Sequence, residues 1–335
     1  MLGAEAQPSD EVGGEAEDEA AHGSEEWVAA RLLTPAVIAS LSDRVGEEMS
    51  LELLLAGVSQ KHLSRKIDER LQQKLSESFD SAREKARLAA LCQEKCSQYL
   101  NCIPMRRLGL HIRSQEFAAL LKYRLGIPLY PLNSKCPACL QPMDPHGDHS
   151  LSCLYGGGLT RRHDAVKMAI YRIAQSAGLG PIIEAQNLLD DGRKPGDLWI
   201  GFYGDAGADV AYDITGINSL RADLVERAEA DPKLVVQVAH EKKERAVGAQ
   251  LRAEGTSFHP LAFTSLGLWH RVAATEISKL VKSKCLRLGL EEKKTLDQEF
   301  KTLSVVIQKA NSRMLTARQI FPSNEVDIPN PNNVF

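Results

Sequence analysis

Residues 136–153 read CPACLQPMDPHGDHSLSC, and this stretch divides the chain into an upstream helical part and a downstream part with strands. Three thiols and two imidazoles fall within it, spaced C-x2-C-x9-H-x3-C, which suits four soft ligands around one tetrahedral ion. Zinc is the expected occupant, held by Cys136, Cys139, His149 and Cys153. His146 is the competing imidazole. Pro137, Pro142, Asp144, Pro145 and Gly147 keep the intervening chain in turns, so a metal would supply folding energy that so short a loop cannot draw from apolar burial. A zinc deaminase is excluded because no H-x-E precedes the CPAC.

Composition sets the frame around this loop. The chain has 335 residues, 43% of them hydrophobic, enough for one large core or two smaller ones. Seven cysteines, three in a metal-type spacing and none in a disulfide ladder, without an apolar leader, point to a reducing intracellular compartment. No run is long or apolar enough to span a bilayer, so no membrane partner is expected. The net charge of -3 hides a split: residues 1–26 hold nine acids and no Lys or Arg, leaving a mildly basic body. Such a body is compatible with nucleic acid.

The acidic stretch 1–26 lacks large apolar side chains and is expected to be a disordered tail. Over 27–130 the pattern is helical. Leu63, Ile67, Leu71, Leu75 and Phe79 recur at helical spacing, Pro104 ends that segment, and a further helix opens near Ser114 and closes at Gly126 and Pro128. The metal loop occupies 131–158. Its Gly156-Gly157-Gly158 end lacks the Lys-Ser/Thr of a phosphate loop and reads as a hinge. Thr160 is expected to cap the next helix, which Gly178 stops. Strands are expected at 181–185, 197–202, 209–217 and 257–265, with a helix over 234–254 ahead of the last. The order α-β-β-β-α-β over 159–285 gives an α+β class with a small mixed α/β core, followed by a helix in 286–321 and a flexible tail at 322–335.

Three acids have suggestive positions. Glu184 ends the first strand, Asp197 opens the second, and Asp213 sits inside the otherwise apolar VAYDITGI. A carboxylate among Val210, Ala211, Ile214 and Ile217 would be costly to bury unpaired, and a hard divalent cation such as Mg2+ would relieve that cost. Carboxylates at neighbouring strand ends suit a cation that activates water at a phosphodiester. HEKKE at 240–244 lacks the second histidine of a zincin.

The motifs CPAC, GDHSLSC, TRRHDAV, Glu184, RKPGD and YDIT, in this order, resemble the zinc-knuckle and restriction-like endonuclease region at the carboxyl end of site-specific non-LTR retrotransposon proteins. That nuclease fold is similar to the PD-(D/E)xK superfamily. Upstream, SRKID, ARLAAL and EFAALLKYRLGI resemble the helical part before the knuckle, so the likeness covers roughly residues 59–275. It implies a mixed sheet flanked by helices, a CCHC knuckle, a DNA partner with RNA as a further one, a nuclear location and a DNA-nicking activity.

Carried over residue by residue, the resemblance makes Asp197 and Asp213 magnesium-binding acids, with Glu184 beside the cation and Lys243 as cationic assistant. Arg161, Arg162 and His163 match its R-R-H and are expected to grip phosphate, as are Arg193 and Lys194. Thr215 stands where the superfamily keeps its lysine. Ala246 replaces the second lysine of K-x-x-K, with Lys242 and Arg245 nearby, and Thr264 replaces a glutamate. No Y/F-x-D-D reverse-transcriptase signature occurs, so the chain resembles the carboxyl third of a retroelement polyprotein. The departures favour an alternative, a zinc-dependent nucleic-acid-binding protein with a decayed nuclease site. A third reading is a helical interaction protein carried by 27–130.

Overall fold

A computed structural model describes residues 33–55, 59–186, 188–189 and 194–319. The expected acidic tail (1–26), the expected terminal tail (322–335) and Arg193 lie outside these residues. The chain forms two compact units divided between Phe79 and Asp80, so the helical stretch expected over 27–130 is shared between them.

The first unit holds α1 (Pro35–Val45), α2 (Leu51–Leu55) and α3 (Gln60–Glu77). Thr34 caps α1 by accepting from the Val37 N–H at 3.3 Å, and Gly46, at φ 81°, ends it. Ser59 caps α3 in the same way, accepting from the His62 N–H. The apolar positions of α3 do not close into a core: Leu71 and Leu75 remain exposed.

The second unit opens with α4 (Ala82–Leu91), two short 3-10 turns and α5 (Ser114–Leu125), which Gly126 ends in the left-handed region as expected. After the cysteine loop comes α6 (Gly158–Ser176). Thr160 is not its cap. Gly157, at φ 67°, turns the chain into the helix, and Gly158 passes so close to Met314 that a Cβ there would stand 2.8 Å from its Cγ.

The sheet is a mixed one of four strands, β1 (Ile182–Ile183), β2 (Leu198–Ile200), β3 (Asp209–Ile217) and β4 (Thr256–Thr264), in that spatial order. β1–β2 and β2–β3 are antiparallel, and β3–β4 is parallel. β3 occupies the residues expected of it. β1 and β2 are shorter than expected because Glu184, at φ 49°, and Phe202, at φ 54°, leave the extended region. Between β3 and β4 the expected helix over 234–254 is two pieces, α8 (Pro232–Lys243) and α9 (Ala249–Ala253), joined by a π-helical turn over Glu244–Gly248, and a further short helix, α7 (Val225–Ala230), precedes them. Pro232 at its N-terminus and the Asp231 cap, which accepts from the Lys233 N–H, start α8 two residues early.

Alternation along β3 sends Val210, Tyr212 and Ile214 into a core shared with Ile170 and Ile173 of α6, with α10 (Arg271–Leu288) and with α11 (Glu292–Thr316). Ala211 faces the other way, toward Leu251 and Phe258. The sheet is thus covered on both faces. A second core joins α4, α5 and α7 to Leu151 of the cysteine loop and to Val305, Met314 and Leu315 of α11.

Candidate metal centre and candidate active site

The cysteine loop is built by short-range backbone bonds. The Cys136 N–H donates to Gln141 O at 2.9 Å and the Leu140 N–H to Cys136 O at 2.8 Å, which folds CPAC into a knuckle. Asp144 organises the second half. Its Oδ1 accepts from the N–H groups of His146, Gly147 and Asp148, and its Oδ2 from that of His149 at 2.6 Å.

These bonds bring Cys136, Cys139, His149 and Cys153 together, with all four ligand atoms within 4.8 Å of one another. Cys139 Sγ lies 3.3 Å from His149 Nε2, and Cys136 Sγ lies 4.0 Å from Cys153 Sγ. Ligands of a tetrahedral zinc stand roughly 3.5 to 3.8 Å apart at ordinary bond lengths, so the donor set and its spacing fit that ion. The three cysteines form no disulfide. His146 is not part of the cluster: its Nδ1 is buried without a partner and burial lowers its pKa.

Electrostatics favour thiolate at Cys136. Burial pushes the Cys136 thiol up, but the N–H groups of Ala138 and Cys139, with Arg318 and His149, bring it down to about 6. Arg318 was not singled out by the sequence. It is 5% exposed, its Nη1 and Nη2 donate to Met314 O and Tyr155 O, and its guanidinium reaches the Cys153 and Cys136 sulfurs.

The three acids gather at one end of the sheet. In the β2–β3 register Asp197 falls opposite Asp213, since Leu198 pairs with Tyr212, and the Asp197 N–H donates to Tyr212 O at 2.8 Å. The Glu184 N–H in turn donates to Asp197 O at 2.9 Å, so the acids sit on successive strands. Asp197 Oδ2 accepts from the Ile214 N–H at 2.6 Å and contacts His163 Nε2 at 2.9 Å, which raises the imidazole pKa.

Asp213 is largely buried, and burial raises its pKa, with Asp197 adding to the rise and Lys243 opposing it. Lys243 Nζ stands 3.0 Å from its Oδ2, and the Thr215 hydroxyl donates to the same oxygen at 3.0 Å. The cost that the sequence assigned to a divalent ion is therefore met by Lys243 and Thr215.

Glu184 is held below the usual carboxylate range by Lys167 and Lys194, at 2.9 and 3.3 Å. Lys167 was missed in the sequence. Its side chain is 8% exposed, and the ammonium bridges Asp164 and Glu184. The signal was available as the i, i+4 spacing of His163 and Lys167 on one helix face. A shallow cavity of about 320 Å³ opens between Thr160, His163, Thr215 and Lys243.

The remaining expected residues divide. Arg161 is exposed, and Lys194 lies on Glu184. Arg162 corrects the expectation of a phosphate grip: it is 2% exposed, donates to Asn311 Oδ1 at 3.0 Å, and burial lowers its pKa to about 10. Arg245 donates to Glu241 O, and Ala246 lies in the π-helical turn. Thr264 is fully buried and accepts from the Leu268 N–H at 3.1 Å, a turn-closing role. No protein-family model matches the chain, and no curated protein matches it either.

Proposed function

We propose that this chain is a retroelement-derived, metal-dependent DNA endonuclease of the restriction-like class, nicking target DNA in the nucleus with its CCHC cluster loaded with zinc as a structural ion. One observation carries the reading: Asp197 lies opposite Asp213 on adjacent antiparallel strands, with Lys243 of the crossover helix on Asp213 and Glu184 on the next strand. The order of elements, one helix, three antiparallel strands, a helical crossover and a parallel fourth strand, supports the same class.

Asp197, Asp213 and Glu184 are hard oxygen donors of the type Mg2+ takes, though among the described residues their carboxylates are not gathered into one ligand group. They would have to leave His163, Lys243 and Lys167 to hold an ion that, when bound, would activate water and neutralise charge on a phosphodiester. The chain's own residues do the rest. Lys243 places a positive charge at the cavity mouth, where it stabilises charge developing on phosphate oxygens. His163 Nε2 holds a proton against Asp197, and Lys167 fixes Glu184 from a buried position.

A second reading, a nucleic-acid-binding protein without turnover, is favoured by the engagement of Asp213 and Glu184 with lysines and of Asp197 with His163, and by Ala246 and Thr264. A supercoiled-plasmid nicking assay with Mg2+, Mn2+ and EDTA separates the two. Nicking that needs the metal and is lost in Asp197→Asn, Asp213→Asn supports the nuclease. Undiminished nicking by that variant refutes the assignment, and retardation of DNA without nicking by folded, zinc-loaded protein selects the second reading.

A further inference from the structure

The side of α6 turned away from the carboxylates carries its own pattern. His163 and Lys167 meet the acids, whereas Arg161, Ala165, Met168 and Arg172 recur on the opposite face. α11 runs alongside, tied to α6 by the Arg162–Asn311 bond. Between the two helices, closed at one end by Pro137 and Ala138 of the cysteine loop, lies a groove of about 760 Å³.

Arg161, Arg172, Lys309, Arg313 and Arg318 line this groove, and no carboxylate does. Its floor is apolar, made of Ala165, Met168, Val306, Ala310 and Met314. Lys309 and Arg313 also border a second depression with Arg106, His111 and Arg113, so the basic track continues. Among the described residues the acid engaged with these cations is Glu116, 2.6 Å from Arg113 and 3.7 Å from Arg313. Arg318 adds a fixed charge in the wall: it is buried, and its Nε lies without a hydrogen-bond partner. Among the described residues no carboxylate pairs with Arg161, Arg172 or Lys309, and their mutual repulsion is a cost that a polyanion removes.

We propose that this groove binds single-stranded DNA, with phosphates along the cationic walls and bases against the apolar floor. A duplex keeps its bases stacked and presents phosphates alone, leaving the floor unused. RNA would bring a 2′-hydroxyl to every nucleotide, and the lining side chains offer no acceptor for it. The binding is independent of the nuclease reading, since the carboxylates lie on the other side of α6.

The test is fluorescence anisotropy of a labelled oligo-dT of about 20 nucleotides with the full chain, at about 50 and 200 mM salt. Arg172→Glu, Lys309→Glu should weaken binding at least about tenfold and make the logarithmic salt slope shallower by about 1.4, the share of two phosphates on a single strand. The anisotropy readout needs neither Mg2+ nor cleavage, so a failed nicking assay leaves the inference standing. The neutral variant Arg172→Ala, Lys309→Ala should lose affinity by a smaller factor, with zinc content and circular dichroism matching the parent. Affinity unchanged in the charge-reversal variant would overturn the proposal. So would a duplex of equal length bound as tightly as the single strand, an oligo-rU bound more tightly than oligo-dT, or poly-glutamate displacing the DNA at equal charge concentration.

Discussion

Asparagine in place of Asp144 tests whether the cysteine loop is a metal centre. The carboxylate serves four N–H groups, three on Oδ1 at 2.7 to 3.0 Å and that of His149 on Oδ2 at 2.6 Å. Asparagine keeps one carbonyl oxygen for the first three but presents its NH2 to His149, donor against donor. A hydrogen bond to a charged group contributes about 1.5–3 kcal/mol, and here the loss falls on the backbone of a ligand whose Nε2 is 3.3 Å from Cys139 Sγ. Felt fully in the metal-bound state, it weakens zinc binding by roughly 10- to 150-fold, close to the range for other residues that orient metal ligands. Competition between Asp144→Asn and a chromophoric chelator, with zinc stoichiometry measured on both proteins, gives the ratio. An affinity within about twofold of the parent would show that Asp144 does not hold the ligands in place, and the argument would fail.

Two further outcomes follow from the packing. Gly216→Ala brings a Cβ to 2.8 Å from Phe263 Cζ in the buried core beside Trp269, so it should destabilise by about 1–3 kcal/mol and lower the calorimetric midpoint by about 2–4 °C for each of those; an unchanged midpoint would mean that the ring yields freely. His270 is buried, donates from Nε2 to Gln237 Oε1 at 2.7 Å and stacks on His240 at 4.0 Å between ring centroids. Burial, then His240 and Arg271 against an opposing Glu241, lowers its pKa from 6.5 to about 4, below its unfolded value. The unfolded chain therefore takes the proton first, and stability is lost as pH falls through that window. The urea midpoint should drop between about pH 7 and pH 4.5, and drop less in His270→Gln; equal drops would sink the assignment.

The parts legible in the sequence were those fixed by local spacing. The C-x2-C-x9-H-x3-C pattern named the four clustered side chains because a knuckle and one helical turn are set by neighbours in the chain. β3 was legible over its whole length because an apolar run around one acid has few other uses. What escaped depended on distant partners. Arg162 reads as a solvated first-turn residue until Asn311 arrives from α11, and Lys167 reads as helix surface until Glu184 meets it. The break between the two units was invisible because amphipathic helices lie on both sides of it. The assignment of Asp213 to a metal rested on an unpaired buried charge, and the pairing came from Lys243, thirty residues downstream.

α11 has a consequence in time. Tyr130 at the mouth of the cysteine loop donates its hydroxyl proton to Leu315 O, 185 residues later, and Arg318, just past the end of that helix, reaches the loop's thiols. At ordinary rates of synthesis that segment follows the loop by roughly 10 to 40 s. Throughout that interval the nascent chain carries three thiols without the guanidinium that will cover them and Arg162 without Asn311. Early metal capture would shield the cysteines from oxidation while the rest is made. Zinc supply during translation, more than zinc supply afterwards, would then set the yield of intact protein.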